Sequence, residues 1–538
     1  MSLPEFDSQI ELFGLHMQRD KLFKSEDRYR LFAEKIYPVL VQARERLEAC
    51  YCADNGRPAK EPVVVLGVSL LQFMERLPDR QAVEHLKYHV GWKYALGQEL
   101  MDEVFDATVL VRFRQRLLEH GQERMIFEEV LEALEKAGLV HKRGSRQRLD
   151  STHMLGLVSR MSLLDCVREG LRLALEELAP QIPMKPPFWE TLWERYVEHE
   201  LNYKTSVEVL ESKRIQAGED AYVLLEWLKS REHRGGPKTE VLRRIFGDYF
   251  KVKEGRIEAV AILAAYVHNP HDAEATYREK QNDKKWVGYG IQVAESLPEE
   301  AMGEPAPGTG FITSMVTQTA LGSDEAGMEK TLEEQASMGF EKPKELYVDA
   351  AYISSGELAS AQRESRELWG PAVSARKPKD RYSVEEFLID LEKGQAVCPA
   401  GQVNTQLSRI QESRLRTLEY RFEWSWKCRK CLQRLLCVSS KQAHRTIRVS
   451  SDFMHLQARR KLMKTDVFKE RMKRRAGIEG TISELVRGYG ARQARYRGLA
   501  KARLQNYFIG TACNIQRWIR RMVEDVEKEK VQPVLAAG

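Results

Sequence analysis

The sequence has no long apolar run and contains little cysteine. Its 538 residues include only eight cysteines. The longest apolar stretch, Val63 to Phe73, is too short and too interrupted to span a bilayer. Met1 to Lys24 mixes acids and bases and has no apolar core of a signal peptide. Few cysteines without a secretory signal favour a reducing compartment. We therefore expect a soluble cytoplasmic protein that does not engage a membrane.

Several common catalytic motifs are absent as well. The chain contains no GxxxxGK[ST] phosphate loop, no GxGxxG, no GxSxG elbow and no HExxH. ATP use, dinucleotide chemistry, a serine-hydrolase elbow and a zincin site therefore lack local support. The 34 glycines, 19 prolines and 43% hydrophobic residues also exclude collagen-like and wholly disordered chains.

The net charge is small but unevenly distributed. The whole chain carries +6, whereas Lys441 to Arg521 contains 21 Lys and Arg against five acids, a balance of +16. A basic segment on an otherwise acidic chain indicates a polyanionic partner, most often nucleic acid. A solvated helical face is the alternative, but Tyr489, Tyr496 and Trp518 interleave with the cations and favour nucleic acid.

Hydrophobic spacing divides the chain into four regions. The predicted regions are a helical segment at 1–140, an α/β segment with a mixed sheet at 141–375 that contains a helical insertion at about 161–250, a basic β-rich segment at 376–450, and a helical segment at 451–530. Val287, Tyr289, Ile291 and Val293 alternate at period two, which predicts a half-buried strand. From about Leu456 we expect continuous helix to Glu529.

Three carboxylates stand out by position. Asp150 lies in the first predicted strand, Asp349 ends a later strand, and Glu479 lies on a helix crowded with bases. Acids at strand ends of α/β sheets lie where ligands bind. Three carboxylates brought together repel one another unless a cation neutralises them, and their hard oxygens suit Mg²⁺. Taken singly, each acid is better explained as a surface or capping residue.

Three ordered blocks resemble a known family. Residues 148–154 (Arg-Leu-Asp-Ser-Thr-His-Met) and 349–352 (Asp-Ala-Ala-Tyr) are similar to the blocks that hold the first two acids of the DDE transposases of bacterial insertion sequences. Glu479 lies in a segment that resembles the branch with the pattern Tyr-x2-Arg-x3-Glu-x6-Lys. Arg475 and Glu479 match that pattern, whereas the Tyr and Lys positions hold Met472 and Val486.

The resemblance covers about residues 60–520 and carries expectations for fold and function. It implies an α/β RNase H-like catalytic core with a mixed sheet, an all-α N-terminal domain that binds inverted-repeat DNA, a helical insertion and a Cys-containing β-rich insertion. It also implies that Asp150, Asp349 and Glu479 hold two Mg²⁺ ions for cleavage of element ends and strand transfer. The implied partner is double-stranded DNA, bound by a homodimer in the bacterial nucleoid.

Candidate DNA contacts follow from the same stretch. Arg475 and Glu479 are four residues apart on one helical face, so Arg475 either orients the carboxylate or meets the DNA backbone. Arg487 is the candidate to replace the missing Lys at Val486. The other expected DNA-contacting residues are Arg495, Arg497 and Lys501.

Four cysteines lie close together in the β-rich segment. Cys428 and Cys431 form a CxxC pair, Cys437 follows it, and Cys398 lies thirty residues upstream. Four thiols in a small segment with little core of its own suit a structural tetrahedral Zn²⁺. The alternative is four reduced thiols, because the second pair lacks the tight spacing of the first.

Two other functions remain open from the sequence. One is an RNase H-like nuclease that cuts DNA without transferring strands. The other is a transposase-derived DNA-binding protein without catalysis, against which the three intact acids count.

Overall fold

A series of helices forms the N-terminal part of the chain. The computed structural model describes residues 14–52, 58–200, 206–261, 263–280, 284–297, 310–374, 381–411, 418–439 and 442–536. The helices before the first strand are α1 (Arg19–Leu22), α2 (Arg28–Leu31), α3 (Tyr37–Gln42), α4 (Arg44–Glu48), α5 (Pro62–Glu75), α6 (Asp79–Tyr88), α7 (Val90–Ala95), α8 (Thr108–Glu119) and α9 (Met125–Lys136).

Helix α5 is buried along almost its whole length. Apart from Ser69 and Gln72, its residues from Pro62 to Phe73 are apolar or glycine, and all of them are buried. A helix that is apolar all round requires neighbours on all sides. The helix ends at Arg76, which adopts a left-handed conformation with φ of 57°. This burial makes α5 a core element of the molecule.

The first strand is followed by a helical unit with a core of its own. After β1 (Arg146–Leu155) come α10 (Leu163–Leu178), α11 (Trp189–Trp193), α12 (Val207–Ser230), α13 (Pro237–Tyr249) and the hairpin of β2 (Phe250–Lys253) and β3 (Arg256–Ala259). Leu171, Leu175, Leu224 and Ile245 are fully buried in this unit. The helical unit thus occupies the segment for which the sequence predicts helices.

A mixed sheet forms the centre of the molecule. Its remaining elements are β4 (Thr276–Lys280), β5 (Lys284–Ser296), β6 (Ile312–Thr319), α14 (Asp324–Ser337), β7 (Glu345–Tyr347), α15 (Ser355–Arg363) and β8 (Glu367–Trp369). The strand order is β4-β5-β1-β7-β8, and β6 also pairs with β5. β1 is antiparallel to β5 and parallel to β7, and β7 is parallel to β8. The predicted mixed sheet is confirmed, whereas β4 was not predicted.

β5 is buried on both faces, so the prediction of a half-buried strand is wrong. Tyr289 and Ile291 pack into a core shared with the N-terminal helices and the C-terminal helices. Ala294 packs on the opposite face with residues of α14, β7 and α15. The alternation of apolar residues does not reveal the burial of the second face, because the intervening Gln292 is polar. Gln292 is nevertheless buried, and it forms hydrogen bonds there rather than apolar contacts.

A β-rich unit with its own small core follows β8. Its strands are β9 (Leu388–Asp390), β10 (Gln395–Val397), β11 (Val403–Asn404), β12 (Leu407–Gln411), β13 (Leu418–Glu423) and β14 (Thr446–Ser450). They form two three-stranded sheets around buried Phe387, Phe422 and Trp424. The predicted boundary between residues 375 and 376 lies outside the described residues.

The C-terminal part is helical but interrupted. It contains α16 (Phe453–Leu462), α17 (Asp466–Lys473), α18 (Gly477–Tyr489) and α19 (Leu499–Ala536). The prediction of continuous helix is wrong, because Gly490 adopts φ of 71° and ends α18. The connection that follows runs beside β1, where Arg492 accepts a backbone hydrogen bond from Leu155, and Leu155 accepts one from Ala494. Among the described helices, none has the length and apolar content needed to span a membrane.

Candidate active site

The first two predicted acids lie near the end of the pairing between β1 and β7. β1 and β7 are parallel, with Arg146 paired to Glu345 and Arg148 to Tyr347, an offset of 199 residues. Asp150 and Asp349, two residues beyond the last pair, keep the same offset, and the charge of Asp349 acts on Asp150. Because side chains at the same register point to the same face, both carboxylates lie on one side of the sheet. The sequence separation of Asp150 and Asp349, 199 residues, therefore equals the register offset between β1 and β7.

Each aspartate is fixed by a local backbone hydrogen bond. Asp150 Oδ1 accepts from the Ser151 N–H at 2.8 Å, and Asp349 Oδ1 accepts from the Ala350 N–H at 2.6 Å. Burial raises the pKa of Asp150, and the charge of Asp349 adds to the rise, while the Ser151 bond and Arg475 oppose it. Asp324, at the start of α14, also raises the pKa of Asp150 and was not singled out from the sequence.

Glu479 is connected to Asp150 through Arg475. Arg475 lies in a 3₁₀ turn, Arg474–Ala476, directly before α18. Its Nη2 donates to Asp150 Oδ2 at 2.9 Å, and its Nη1 donates to Glu479 Oε1 at 3.2 Å. The Glu479 side chain is 69% exposed, whereas that of Asp150 is 16% exposed. The positive charge of Arg475 therefore compensates the negative charges of both carboxylates, and the Glu479 side chain remains accessible to solvent.

A buried ion-pair network holds α18 against the sheet. Glu295, on β5, accepts hydrogen bonds from Arg148 at 2.9 Å, Thr481 at 2.8 Å and Arg517 at 2.8 Å. Glu295 is fully buried, and the Arg148 and Arg517 side chains are only 6% and 3% exposed. Arg148 precedes Asp150 by two residues and Thr481 follows Glu479 by two, so Glu295 connects the backbones that carry these two acids.

Gly477 permits this close approach at the start of α18. A Cβ at this position would lie 1.8 Å from Arg148 Nη1, so only glycine lets the helix reach the buried guanidinium. Neither this requirement nor the network was predicted, because Glu295 and Arg148 are separated by 147 residues. The sequence did contain one signal for the network. Arg148 and Glu295 are charged residues within β-strands, where apolar residues are expected.

The predicted DNA-contacting residues fall into two groups. Arg487, Arg497 and Lys501 are exposed. Arg495 instead donates to the backbone oxygen of Leu77 at 3.1 Å and lies 4.7 Å above the Phe73 ring, and burial lowers its pKa. Arg495 therefore joins the C-terminal connection to the end of α5, and Arg475 is bound to the acids.

The four cysteines of the β-rich unit line one cavity. Cys398, Cys428, Cys431 and Cys437 share its wall with Trp424 and Arg445, and all four thiols are free. Cys398 Sγ accepts a hydrogen bond from the Gln402 N–H at 3.4 Å. Burial raises the pKa of Cys437 to about 11, Arg445 opposes the rise, and the other three cysteines add to it. The structure therefore brings the predicted thiols together.

The side chains are not arranged around a metal position. Across the ranges that the structure describes, no group of three or more His, Cys, Asp or Glu is placed as metal ligands would be. At the acid site, the Arg475 guanidinium lies between Asp150 and Glu479 and supplies the positive charge.

Two segments of the chain match family models. Residues 17–116 match a model described as "Transposase domain (DUF772)", and residues 397–519 match one described as "Transposase DDE domain". The second match contains Arg475, Glu479 and the four cysteines, whereas Asp150 and Asp349 lie outside both. None of the curated proteins matches the chain. The two models cover most of the N-terminal helices and the C-terminal part of the acid site, and together they support a DDE transposase of an insertion sequence.

Proposed function

We propose that this transposase cleaves DNA at the inverted-repeat ends of its element and joins the ends to target DNA. The observation that carries the proposal is the parallel pairing of β1 with β7, beyond which Asp150 and Asp349 keep the same offset and the charge of Asp349 acts on Asp150. Arg475 adds Glu479 to the same site.

The topology supports an RNase H-like catalytic core. The path β6-β5-β1-β7-β8 has one antiparallel strand, β5, beside β1 and two parallel strands on the other side. Helices cover both faces. In this interpretation, the helical unit is an insertion after β1, the strand that carries Asp150. The β-rich unit is an insertion after β8 and lies between Asp349 and Glu479 in the sequence.

The three acids have the donor chemistry for Mg²⁺. Carboxylate oxygens are hard ligands, and the mutual charge of Asp150 and Asp349 at a partly buried site would be relieved by a cation. Asp150, Asp349 and Glu479 would hold the ions, with the exposed Glu479 side chain turning away from Arg475 to join them. Bound Mg²⁺ supplies Lewis-acid stabilisation of the attacking and leaving oxygens.

The reaction exchanges one phosphorus–oxygen bond for another in each step. In cleavage, a water oxygen bonds to the phosphorus at the element end, and the bond from that phosphorus to the 3′ oxygen breaks. The leaving 3′ oxygen takes up the proton that the attacking water loses. In strand transfer, the freed 3′-hydroxyl oxygen bonds to a target phosphorus and a target 3′-hydroxyl leaves. When a bound cation compensates the charge of the acids, Arg475 would become available to bind the phosphate.

DNA binding is assigned to the exposed cations. Arg487, Arg497 and Lys501 lie on the C-terminal stretch that follows Glu479 and would contact phosphates. The helical segment 1–140 would bind the inverted repeat. Two ends must be held together for transposition, which supports a homodimer on DNA.

A plasmid cleavage assay tests the proposal. The plasmid carries the gene with its native flanks, and purified chain is compared with Asp349→Asn in Mg²⁺ and in EDTA. Flank cuts that require both Mg²⁺ and Asp349, followed by joined products, are expected. Asp466→Asn, on an exposed side chain of α17, is the matched control and should cut normally.

The other outcomes identify the alternatives. Cuts without joined products would favour a nuclease that does not transfer strands. DNA binding without cleavage, in Mg²⁺ and in Mn²⁺, would contradict catalysis and favour a transposase-derived DNA-binding protein.

We also propose that the four cysteines bind one structural Zn²⁺. The thiols share one cavity without meeting at a point, so the ion would draw them together. The β-rich unit has only a small hydrophobic core, so a bound ion would contribute substantially to its stability. Metal analysis of purified chain should find one zinc, lost in Cys428→Ser/Cys431→Ser and retained in Cys52→Ser, which alters an exposed thiol outside the cavity. Chain purified without zinc, with unchanged thermal stability on zinc addition, would contradict this.

A further inference from the structure

A buried chain of polar side chains lies behind the two aspartates. Gln292, on β5, is 1% exposed and pairs in register with Ser151 of β1. Its Oε1 accepts a hydrogen bond from the Tyr352 hydroxyl at 2.6 Å, and its Nε2 donates to Asp324 Oδ1 at 3.3 Å. Gln292 therefore connects the strand beside β1 with Tyr352 and with the first turn of α14.

The Tyr352 end of this chain adjoins the acid site. Asp349 caps the 3₁₀ turn Ala350–Tyr352, so Tyr352 is the last residue of the turn that Asp349 begins. Ser151 directly follows Asp150, and its side chain lies close enough to the Tyr352 hydroxyl to oppose the rise in that group's pKa. The Tyr352 hydroxyl is consequently tied to the neighbours of both aspartates.

Close packing leaves Gln292 little freedom to move. The backbone of α14 approaches it at Gly327, where a Cβ would lie 2.3 Å from Gln292 Nε2. Tyr352 is itself only 1% exposed. A side chain enclosed in this way holds its hydrogen-bond partners at a fixed separation.

The charges around Tyr352 are those of the acid site. Burial raises the pKa of Tyr352, the charges of Asp324, Asp150 and Asp349 add to the rise, and the Ser151 hydrogen bond opposes it. The hydroxyl therefore keeps its proton and acts as a donor.

We propose that Tyr352 and Gln292 are positioning residues that set the separation of Asp150 and Asp349 for a shared divalent cation. Asp324 anchors the far end of the chain. The proposal rests on the proposed function, in which these aspartates hold the metal. It requires that loss of the Tyr352 hydroxyl weakens metal binding while DNA binding stays intact.

Equilibrium binding of Mn²⁺, followed by the electron paramagnetic resonance signal of the free ion, tests this without reference to activity. In Tyr352→Phe we expect about tenfold weaker Mn²⁺ binding at the acid site, and in Asp349→Asn a larger loss. The matched control is Tyr196→Phe, because Tyr196 is similarly buried and its hydroxyl bonds to Asp220 in the helical unit. This control should bind Mn²⁺ as the unaltered chain does.

A double variant separates positioning from stability. Tyr352→Phe leaves the Gln292 oxygen without its donor, whereas Tyr352→Phe/Gln292→Met replaces both partners with apolar groups and should recover part of the lost thermal stability. Mn²⁺ binding should remain weak in the double variant if the pair positions the acids. Recovery of binding together with stability would overturn the proposal.

The remaining outcomes are distinguishable. Normal Mn²⁺ binding in Tyr352→Phe alongside weakened binding in Asp349→Asn would overturn the positioning role and leave the proposed function standing. Unchanged binding in Asp349→Asn would overturn the metal role of the aspartates, and the positioning role with it.

Discussion

Arg475 donates hydrogen bonds to Asp150 and Glu479 at once, at 2.9 Å and 3.2 Å. One guanidinium thus joins acids that lie 329 residues apart in the sequence. A cation bound by these acids would compete with Arg475 for the same negative charge.

Replacement of Arg475 by Met should make the chain more dependent on divalent cations. The partly buried Asp150 loses its ion-pair partner, so we expect a loss of about 1–3 kcal/mol of unfolding free energy without metal. Mg²⁺ should then raise the melting temperature more in the variant than in the unaltered chain, as measured by thermal unfolding. Arg503→Met, which breaks the distant ion pair with Glu123, is the control and should show no added response to Mg²⁺. An equal response in all three proteins would contradict competition.

Glu295→Gln should strongly destabilise the protein. The substitution leaves the buried Arg148 and Arg517 guanidinium groups facing a neutral amide, and breaking a buried ion pair typically costs about 3–5 kcal/mol. Denaturant unfolding measures the loss. Glu258→Gln, in an exposed pair with Lys253, should change stability by less than about 1 kcal/mol. Similar effects of the two substitutions would show that the buried network does not hold α18 to the sheet.

Acid should destabilise the fold partly through Glu484. Burial alone would raise its pKa, but Arg517 and Arg520 outweigh burial and lower it below the ordinary value of 4.5. The unfolded chain then binds more protons in this range, so the stabilisation is present above pH 4.5 and is lost as pH falls through the lowered pKa. Glu484→Gln should flatten the fall in unfolding free energy below pH 4.5. An unchanged slope would contradict the assignment.

Salt dependence should separate the two groups of basic residues. Arg487→Gln, Arg497→Gln and Lys501→Gln should each lower the slope of log affinity for DNA against log salt by about 1, because one phosphate contact is lost. Arg495→Met should leave that slope unchanged and lower thermal stability, since its guanidinium serves Leu77 and Phe73. A reduced slope in Arg495→Met would show that this residue contacts DNA.

Local pattern in the sequence was sufficient for several of the main elements. Period-two spacing predicted β5, a compact apolar run predicted β6 and helical spacing predicted α14, because these patterns depend on residues close in sequence. Asp349 stood out because an acid at the end of a strand gains nothing from strand formation. The cysteine spacing likewise predicted thiols that share one cavity.

Tertiary structure decided how these parts meet. The parallel pairing of β1 with β7 brought the segments that carry Asp150 and Asp349 together, and packing alone buried β5 on both faces and directed Arg495 to Leu77 rather than to solvent. The roles of Glu295 and Gln292 depend on partners that are distant along the chain, such as Arg148 and Tyr352. Sequence periodicity reports which side of an element faces the core, and only the folded chain determines which distant side chains meet there.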